Sequence, residues 1–156
     1  MKPFFDNEER RKLLFSVVKS WIGTPFIAHG RIKGAGADCV NSNAEIYLEC
    51  GLYERYDFPN YTIDGGNHAA TSKIIEWLDA SEHFENLADV SSFQTGDMIC
   101  FRIGESEKPA WHCGIFVSGK NFVHCVKRYG VQLSHIEDPS FANRIAIYRP
   151  IQKEVV

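Results

Sequence analysis

The periodicity of apolar residues changes partway along this 156-residue chain, and that change constrains the fold more than any other feature. Up to about residue 80, apolar side chains recur at three- and four-residue spacing, which is typical of amphipathic helices. From Met98 onward they alternate with a period of two, which is typical of strands. Helices followed by strands with short connections predict a single α+β domain over residues 1–156, with helices packed on a central antiparallel sheet.

Three helices are predicted in the first half of the chain. They run from Asn7 to Ile22, from the N-cap residue Asp38 to Glu49, and from about Ala69 to Ala80. Gly51 ends the second helix, and an aromatic-rich loop over residues 52–67 follows it. Four strands are predicted in the second half. They are Met98–Ile103, Trp111–Val117, Asn121–Val126 and Arg144–Tyr148.

Cys39 is the strongest candidate for a catalytic residue. It follows the N-cap Asp38, in the first turn of the second helix, where the helix dipole and free N–H groups stabilise a thiolate. The same N–H groups can bind the oxyanion that forms when a thiolate attacks a carbonyl. Position alone leaves a buried, inert thiol equally open.

A nucleophilic cysteine needs a base, and the base needs a third group that orients its ring. His112 and His124 lie on consecutive predicted strands joined by residues 118–120. They share a sheet face only if the numbers of paired residues have an even sum, for example 118 opposite 120. A three-residue loop with Gly119 in a left-handed conformation, making a bulge, would give that register. Gly114, on the same face as His112, is expected to make room for the helix of the nucleophile. A cysteine at a helix start together with this histidine pair favours catalysis over two structural histidines.

Five cysteines, at positions 39, 50, 100, 113 and 125, are spread through predicted helices and strands. Their odd number argues against a disulfide framework and favours a reducing compartment. Two His-Cys pairs, at 112–113 and 124–125, raise zinc as an alternative, but adjacent residues on a strand point to opposite faces. We therefore expect no metal and no cofactor.

The formal net charge of −3 and the lack of a basic stripe with interleaved aromatic residues predict no nucleic-acid partner. The first ten residues include no uninterrupted apolar stretch. This predicts synthesis in the cytoplasm without a signal peptide, and no membrane span.

Five stretches of the chain resemble, in order and spacing, motifs of the NlpC-type cysteine peptidases. They are Trp21–Phe26 (family GTPY), Ala37–Cys39 (family DC(S)G), Gly96–Phe101 (family GDLVFF), His112–Val117 (family HVGIYI) and Asn121–His124 (family KFIHA). The resemblance implies a papain-like fold with Cys39 as nucleophile, His112 as base and His124 as the residue that orients His112. It also implies hydrolysis of the D-γ-glutamyl–diamino acid link of peptidoglycan stem peptides through an acyl-enzyme. Loop lengths and the short C-terminus look most similar to members encoded among phage and prophage tail genes. The sequence leaves the site of action open, with a phage particle and the cell envelope as the two candidates.

Three positions around Cys39 are expected to bind substrate. Val40 stands where the family usually has a serine that contacts substrate, and Phe26 replaces the usual tyrosine and lacks its hydroxyl. Asp38 is retained, which suits a cationic or amine-bearing end of the substrate.

Two other functions are open at this point. An apolar site formed by Val40 and Phe26 would suit acyl-thioester transfer, or an amidase reaction, on a substrate outside the cell wall. A catalytically silent tail or binding module would instead retain the three residues by descent and show an unreactive Cys39.

Overall fold

The computed structural model describes residues 1–59, 61, 73–103 and 110–154, which form three helices, a six-stranded antiparallel sheet and a small two-stranded sheet. The helices are α1 (Glu8–Trp21), α2 (Cys39–Glu49) and α3 (Lys73–Ala80). The strands are β1 (Arg31–Ile32), β2 (Gly36–Ala37), β3 (Phe84–Leu87), β4 (Met98–Ile103), β5 (Ala110–Ser118), β6 (Asn121–Val126), β7 (Gly130–His135) and β8 (Arg144–Pro150). The fold is α+β, as the change of periodicity predicts.

The predicted boundaries of the first two helices are confirmed. The side chain of Asn7 caps α1 by accepting a hydrogen bond from the backbone N–H of Arg10, and Asp38 caps α2. The third predicted helix is confirmed over Lys73–Ala80, whereas residues 69–72 lie outside the described residues, as do residues 60 and 62–67 of the aromatic-rich loop. Within the described part of the chain, no helix has the length and apolar character needed to cross a membrane.

The large sheet has the strand order β3-β8-β4-β5-β6-β7, and all neighbouring strands are antiparallel. The four predicted strands are all present. The sequence did not predict β3 and β7, which lie at the two edges of the sheet, or the two-residue strands β1 and β2. Each edge strand carries only two large apolar side chains, Phe84 and Leu87 in β3 and Val131 and Leu133 in β7, so neither stretch stands out as an apolar run.

The sheet separates two apolar clusters. The helices cover one face, where Trp21, Ile46 and Tyr47 pack against strand residues such as Cys113 and Ile115. The other face carries a smaller cluster. Its buried members are Ile99, Phe101, Phe116, Phe122 and Ile136. His112 and His124 lie on this second face, since the ring of His112 lies beside Phe101 and the ring of His124 beside Phe122.

The hairpin of β5 and β6 decides where the two histidines point. Phe116 lies opposite Phe122, which is the even-sum register that the shared face requires. The connection itself differs from the expected three-residue loop: Ser118 pairs with Asn121 across a two-residue turn with Gly119 at a φ of 61°. A bulge between Phe116 and Ser118 then supplies the extra residue that restores the even register.

Gly114 makes room for a neighbouring strand rather than for α2, which corrects the expectation from sequence. A Cβ at this position would lie 2.6 Å from Cδ2 of Phe122 and 2.7 Å from the carbonyl oxygen of Val123. The helix packs on the opposite face of β5, where Asn43 contacts Cys113. Glycine is required here because β6 approaches closely.

Candidate active site

Cys39 is the first residue of α2, and its side chain is partly buried. The Oδ1 atom of Asp38 accepts hydrogen bonds from the backbone N–H groups of Val40 (3.1 Å) and Asn41 (2.8 Å). A cap of this kind contributes about 1 kcal/mol to stability. Asp38 therefore occupies two of the N–H groups that were expected to bind an oxyanion. Of the N–H groups of Cys39, Val40 and Asn41, that of Cys39 is the one left for this role.

The second carboxylate oxygen of Asp38 is equally engaged. Oδ2 accepts hydrogen bonds from the backbone N–H of His29 (2.9 Å), the Asn41 side-chain amide (3.3 Å) and the Tyr61 hydroxyl. The side chain is fully buried. This geometry does not support the predicted contact between Asp38 and a substrate amine, and instead makes Asp38 the anchor of the chain around Cys39.

Val40 and Phe26 differ in their access to the site. Val40 is 3% exposed and belongs to the core under the sheet, so its side chain offers no surface to a substrate and its predicted binding role is not supported. Phe26 is only partly buried and forms a bridge with Ala37, two residues before the cysteine. Of the three predicted substrate-binding residues, Phe26 alone keeps an exposed surface.

The two histidines and a serine form a continuous chain of hydrogen bonds. Nε2 of His112 lies 2.7 Å from Nδ1 of His124, and Nε2 of His124 lies 2.7 Å from Oγ of Ser134 on β7. Both histidines are buried. Burial lowers the pKa of His124 to about 4, so this ring is neutral at neutral pH. Ser134 was not predicted from sequence, because the strand that carries it was not predicted either.

The Cys39 thiol contacts both His112 and Cys113 at the beginning of β5. A hydrogen bond with the Cys113 thiol, followed by burial, raises the pKa of Cys39 well above its usual value, while a hydrogen bond with His112 lowers it. The resting thiol therefore holds its proton at neutral pH. This differs from the thiolate that the helix terminus alone predicts, because the helix dipole competes with burial and with a second thiol.

Asn43 joins the helix of the nucleophile to the strand of the histidine. Its Nδ2 atom donates to the carbonyl oxygen of Cys39 (2.9 Å) and to that of Cys113 (3.1 Å), and it lies 3.3 Å from Sγ of Cys113. The side chain is fully buried, so these bonds are shielded from water. Asn43 thereby sets the separation between α2 and β5, a role that its place in the sequence did not indicate.

The thiols beside the two histidines point away from them. Sγ of Cys113 donates to the carbonyl oxygen of Cys39 at 3.5 Å, and Sγ of Cys125 donates to that of Ala37 at 3.3 Å, both on the helix-covered face. The imidazole rings occupy the other face of the sheet. Within the first pair, His112 and Cys113 project from opposite faces of the sheet, although both reach the Cys39 thiol at the beginning of β5.

A thiol at a helix start, a histidine within reach of it and a second histidine behind the first form the arrangement of a cysteine-nucleophile site. The chain belongs to the NlpC/P60 family, whose model matches residues 23–149. This agrees with the motif resemblance, and the papain-like NlpC-type fold is confirmed.

Known proteins similar to this chain include one relative by sequence and several by structure. A probable endopeptidase of Haemophilus influenzae is 26% identical over 121 residues, covering 76% of this chain and 61% of its own length. A lipoprotein-like NLP/P60 family protein of Staphylococcus aureus superposes with a TM-score of 0.66 at 16% identity, covering 98% of this chain and 45% of that protein. The NlpC/p60 domain of the peptidoglycan hydrolase SagA gives a TM-score of 0.55 at 17% identity, covering 88% of this chain and 96% of that domain. This chain thus spans less than two thirds of the first two proteins.

Proposed function

We propose that this chain is a cysteine peptidase that hydrolyses an amide bond in a peptidoglycan stem peptide through an acyl-enzyme. The observation that carries the proposal is the continuous contact from the Cys39 thiol through His112 to His124. In this proposal Cys39 is the nucleophile, His112 the general base and acid, and His124 the residue that orients His112.

The first half of the reaction forms the thioester. Nε2 of His112 is engaged with His124, which leaves Nδ1 to take the proton from the thiol. Since the raised pKa of Cys39 keeps the sulfur protonated at rest, proton transfer to His112 accompanies the attack on the carbonyl carbon. The N–H of Cys39 donates to the oxyanion. His112 then gives its proton to the leaving amine as the C–N bond breaks.

The second half returns the enzyme to its resting state. Water replaces the amine, His112 takes a proton from it, and the resulting hydroxide attacks the thioester carbonyl. The C–S bond breaks, the carboxylic acid leaves, and the proton on His112 returns to the sulfur. The fully buried His124 stays neutral throughout, because its lowered pKa of about 4 lies far below neutral pH.

The substrate class rests on the family and on its relatives. The H. influenzae relative is described as a probable endopeptidase, and the SagA domain belongs to a peptidoglycan hydrolase. We extend this to the D-γ-glutamyl–diamino acid link, which the motif resemblance implies. Phe26 is partly exposed and bridges to Ala37, two residues before Cys39, and it would pack against an apolar part of the peptide.

The test is release of free amine from a γ-D-glutamyl-diaminopimelate peptide by purified protein, compared with an α-linked peptide of the same composition. We expect cleavage of the γ-linked peptide alone. Cleavage of neither peptide, with Cys39 reactive toward iodoacetamide, would overturn the substrate assignment and leave the nucleophile standing. An unreactive Cys39 would support a silent binding module instead.

Acyl transfer to an acceptor other than water is the second candidate. The apolar pair Val40 and Phe26 favours this reaction in the sequence. Because Val40 is buried, Phe26 is the one residue of the pair that can contact a substrate. Adding an amine acceptor to the peptide assay separates the two reactions. Formation of a new amide at the expense of the free acid would favour transfer.

A further inference from the structure

The hydroxyl of Ser134 ends the chain of hydrogen bonds that begins at His112. Ser134 lies on β7 opposite Phe122, one diagonal step from His124, which faces Gln132. Its Oγ atom lies 2.7 Å from Nε2 of His124. We propose that Ser134 is a positioning residue that holds His124 in the tautomer which lets His112 act as a base. The inference rests on the proposed function of His112.

The argument begins with the protons available to the two rings. Among the described residues, His112 faces two titratable groups, the Cys39 thiol and the His124 ring. To accept a proton from sulfur, Nδ1 of neutral His112 must be bare, so the ring proton must be on Nε2, pointing at His124. Nδ1 of His124 must then be an acceptor, which places the single proton of neutral His124 on its Nε2.

Ser134 is the acceptor for that proton. His124 packs among the rings of Phe122 and Phe141 and is 1% exposed, so water does not compete for its N–H. Without an acceptor, the N–H would be buried and unsatisfied, and the other tautomer would become favourable. In that other tautomer His124 donates to His112, which puts the His112 proton on Nδ1 and blocks acceptance from the thiol.

The hydrogen bond between Ser134 and His124 matters more once the thiol proton has moved to His112. A doubly protonated His112 donates from both nitrogens, to the thiolate and to His124, so it tolerates only the His124 tautomer with the proton on Nε2. Hydrogen bonds in such a chain polarise one another, and bonds to charged groups are the stronger ones. Ser134 therefore stabilises the thiolate–imidazolium pair relative to the neutral pair.

The test compares Ser134→Ala with Ser134→Thr, which keeps the hydroxyl, and with Leu133→Ala, a half-exposed neighbour on the same strand. We expect Ser134→Ala to lower kcat roughly five- to tenfold with little change in KM, which is the usual effect of one buried hydrogen bond. The pH dependence of Cys39 alkylation should move to higher pH in Ser134→Ala. Ser134→Thr and Leu133→Ala should stay close to the wild type, with thermal melts as controls for folding.

A second measurement reads the tautomer without any substrate. Imidazole ¹⁵N shifts of His124 should report a proton on Nε2 in the wild type and in Ser134→Thr, and a substantial share on Nδ1 in Ser134→Ala. Unchanged shifts and an unchanged alkylation profile in Ser134→Ala would overturn the proposal. Since neither readout needs a peptide, failure of the wild type to cleave wall peptides would count against the proposed function and not against the role of Ser134.

Discussion

Nε2 of His112 and Nδ1 of His124 lie 2.7 Å apart across the β5–β6 hairpin. The contact depends on a single extra residue, the bulge between Phe116 and Ser118. Because side chains alternate along a strand, removing that residue would send the two rings to opposite faces of the sheet. The bulge therefore matters to the site as much as the histidines do.

Brief treatment with iodoacetamide at neutral pH should label Cys39 before the other four cysteines. Cys39 is partly exposed and has His112 as a hydrogen-bond partner, whereas the other four thiols are almost completely buried. Peptide mapping of the labelled protein measures the order. Earlier labelling at any other cysteine would contradict the assignment of the nucleophile.

Replacing His112 by alanine should reduce peptide hydrolysis roughly a hundred- to ten-thousand-fold, the range that general acid–base catalysis contributes. The reason is that the neutral thiol of Cys39 then has no acceptor for its proton. Steady-state amine release measures the loss. Cys39→Ala is the matched control, with no turnover and an unchanged melting temperature. Near-full activity in His112→Ala would exclude it as the base.

Replacing His124 by alanine should cost less activity than the His112 change, because the base is still present and only its orientation is lost. His124→Asn and His124→Gln should recover part of the activity, since an amide can accept the hydrogen bond from Nε2 of His112. Rates of all three variants on one peptide give the order. A loss in His124→Ala equal to that in His112→Ala, without rescue, would point to a direct chemical role.

Replacing Cys113 by valine, the residue in the corresponding family motif, should make Cys39 easier to ionise. The hydrogen bond that the Cys39 thiol donates to the Cys113 sulfur is the largest cause that raises the pKa of Cys39, so its removal lowers that pKa, and alkylation should begin at lower pH. The rate of iodoacetamide labelling against pH measures the shift. Cys50→Ala, at the other end of α2, should leave the profile unchanged. A shift to higher pH in Cys113→Val would show that the Cys113 thiol favours the thiolate.

Asp97, in the Gly96–Phe101 motif, should prove to be structural. Its carboxylate is 1% exposed and accepts two hydrogen bonds from the Arg149 guanidinium, at 3.0 and 2.8 Å. Asp97→Ala should lower the free energy of unfolding by roughly 3 kcal/mol, because a partly buried cation loses its partner. Denaturant titration measures this, with the exposed Asp89→Ala as control. A change below about 0.5 kcal/mol would show that Asp97 contributes little to the stability of the fold.

Much of the fold could be predicted from local patterns. The boundaries of α1 and α2 follow from the N-cap residues Asn7 and Asp38, whose side chains bond N–H groups within three residues. The strands β4, β5 and β6 follow from apolar runs rich in β-branched and aromatic residues in the middle of the sheet, where consecutive residues of β4 and β6 are buried. The edge strands lacked this signal, and Ser134 was missed along with β7.

The sequence by itself determined which residues form the candidate site: a cysteine after an N-cap, and two histidines twelve positions apart on neighbouring strands. Only the tertiary structure decided what those residues can do. The bulge sets the shared face, and burial fixes the charge of His124 by lowering its pKa. The hydrogen bond with the Cys113 thiol and then burial raise the pKa of Cys39. Local sequence fixes hydrogen bonds within a few residues, whereas desolvation and contacts between distant segments arise only when the chain closes around them.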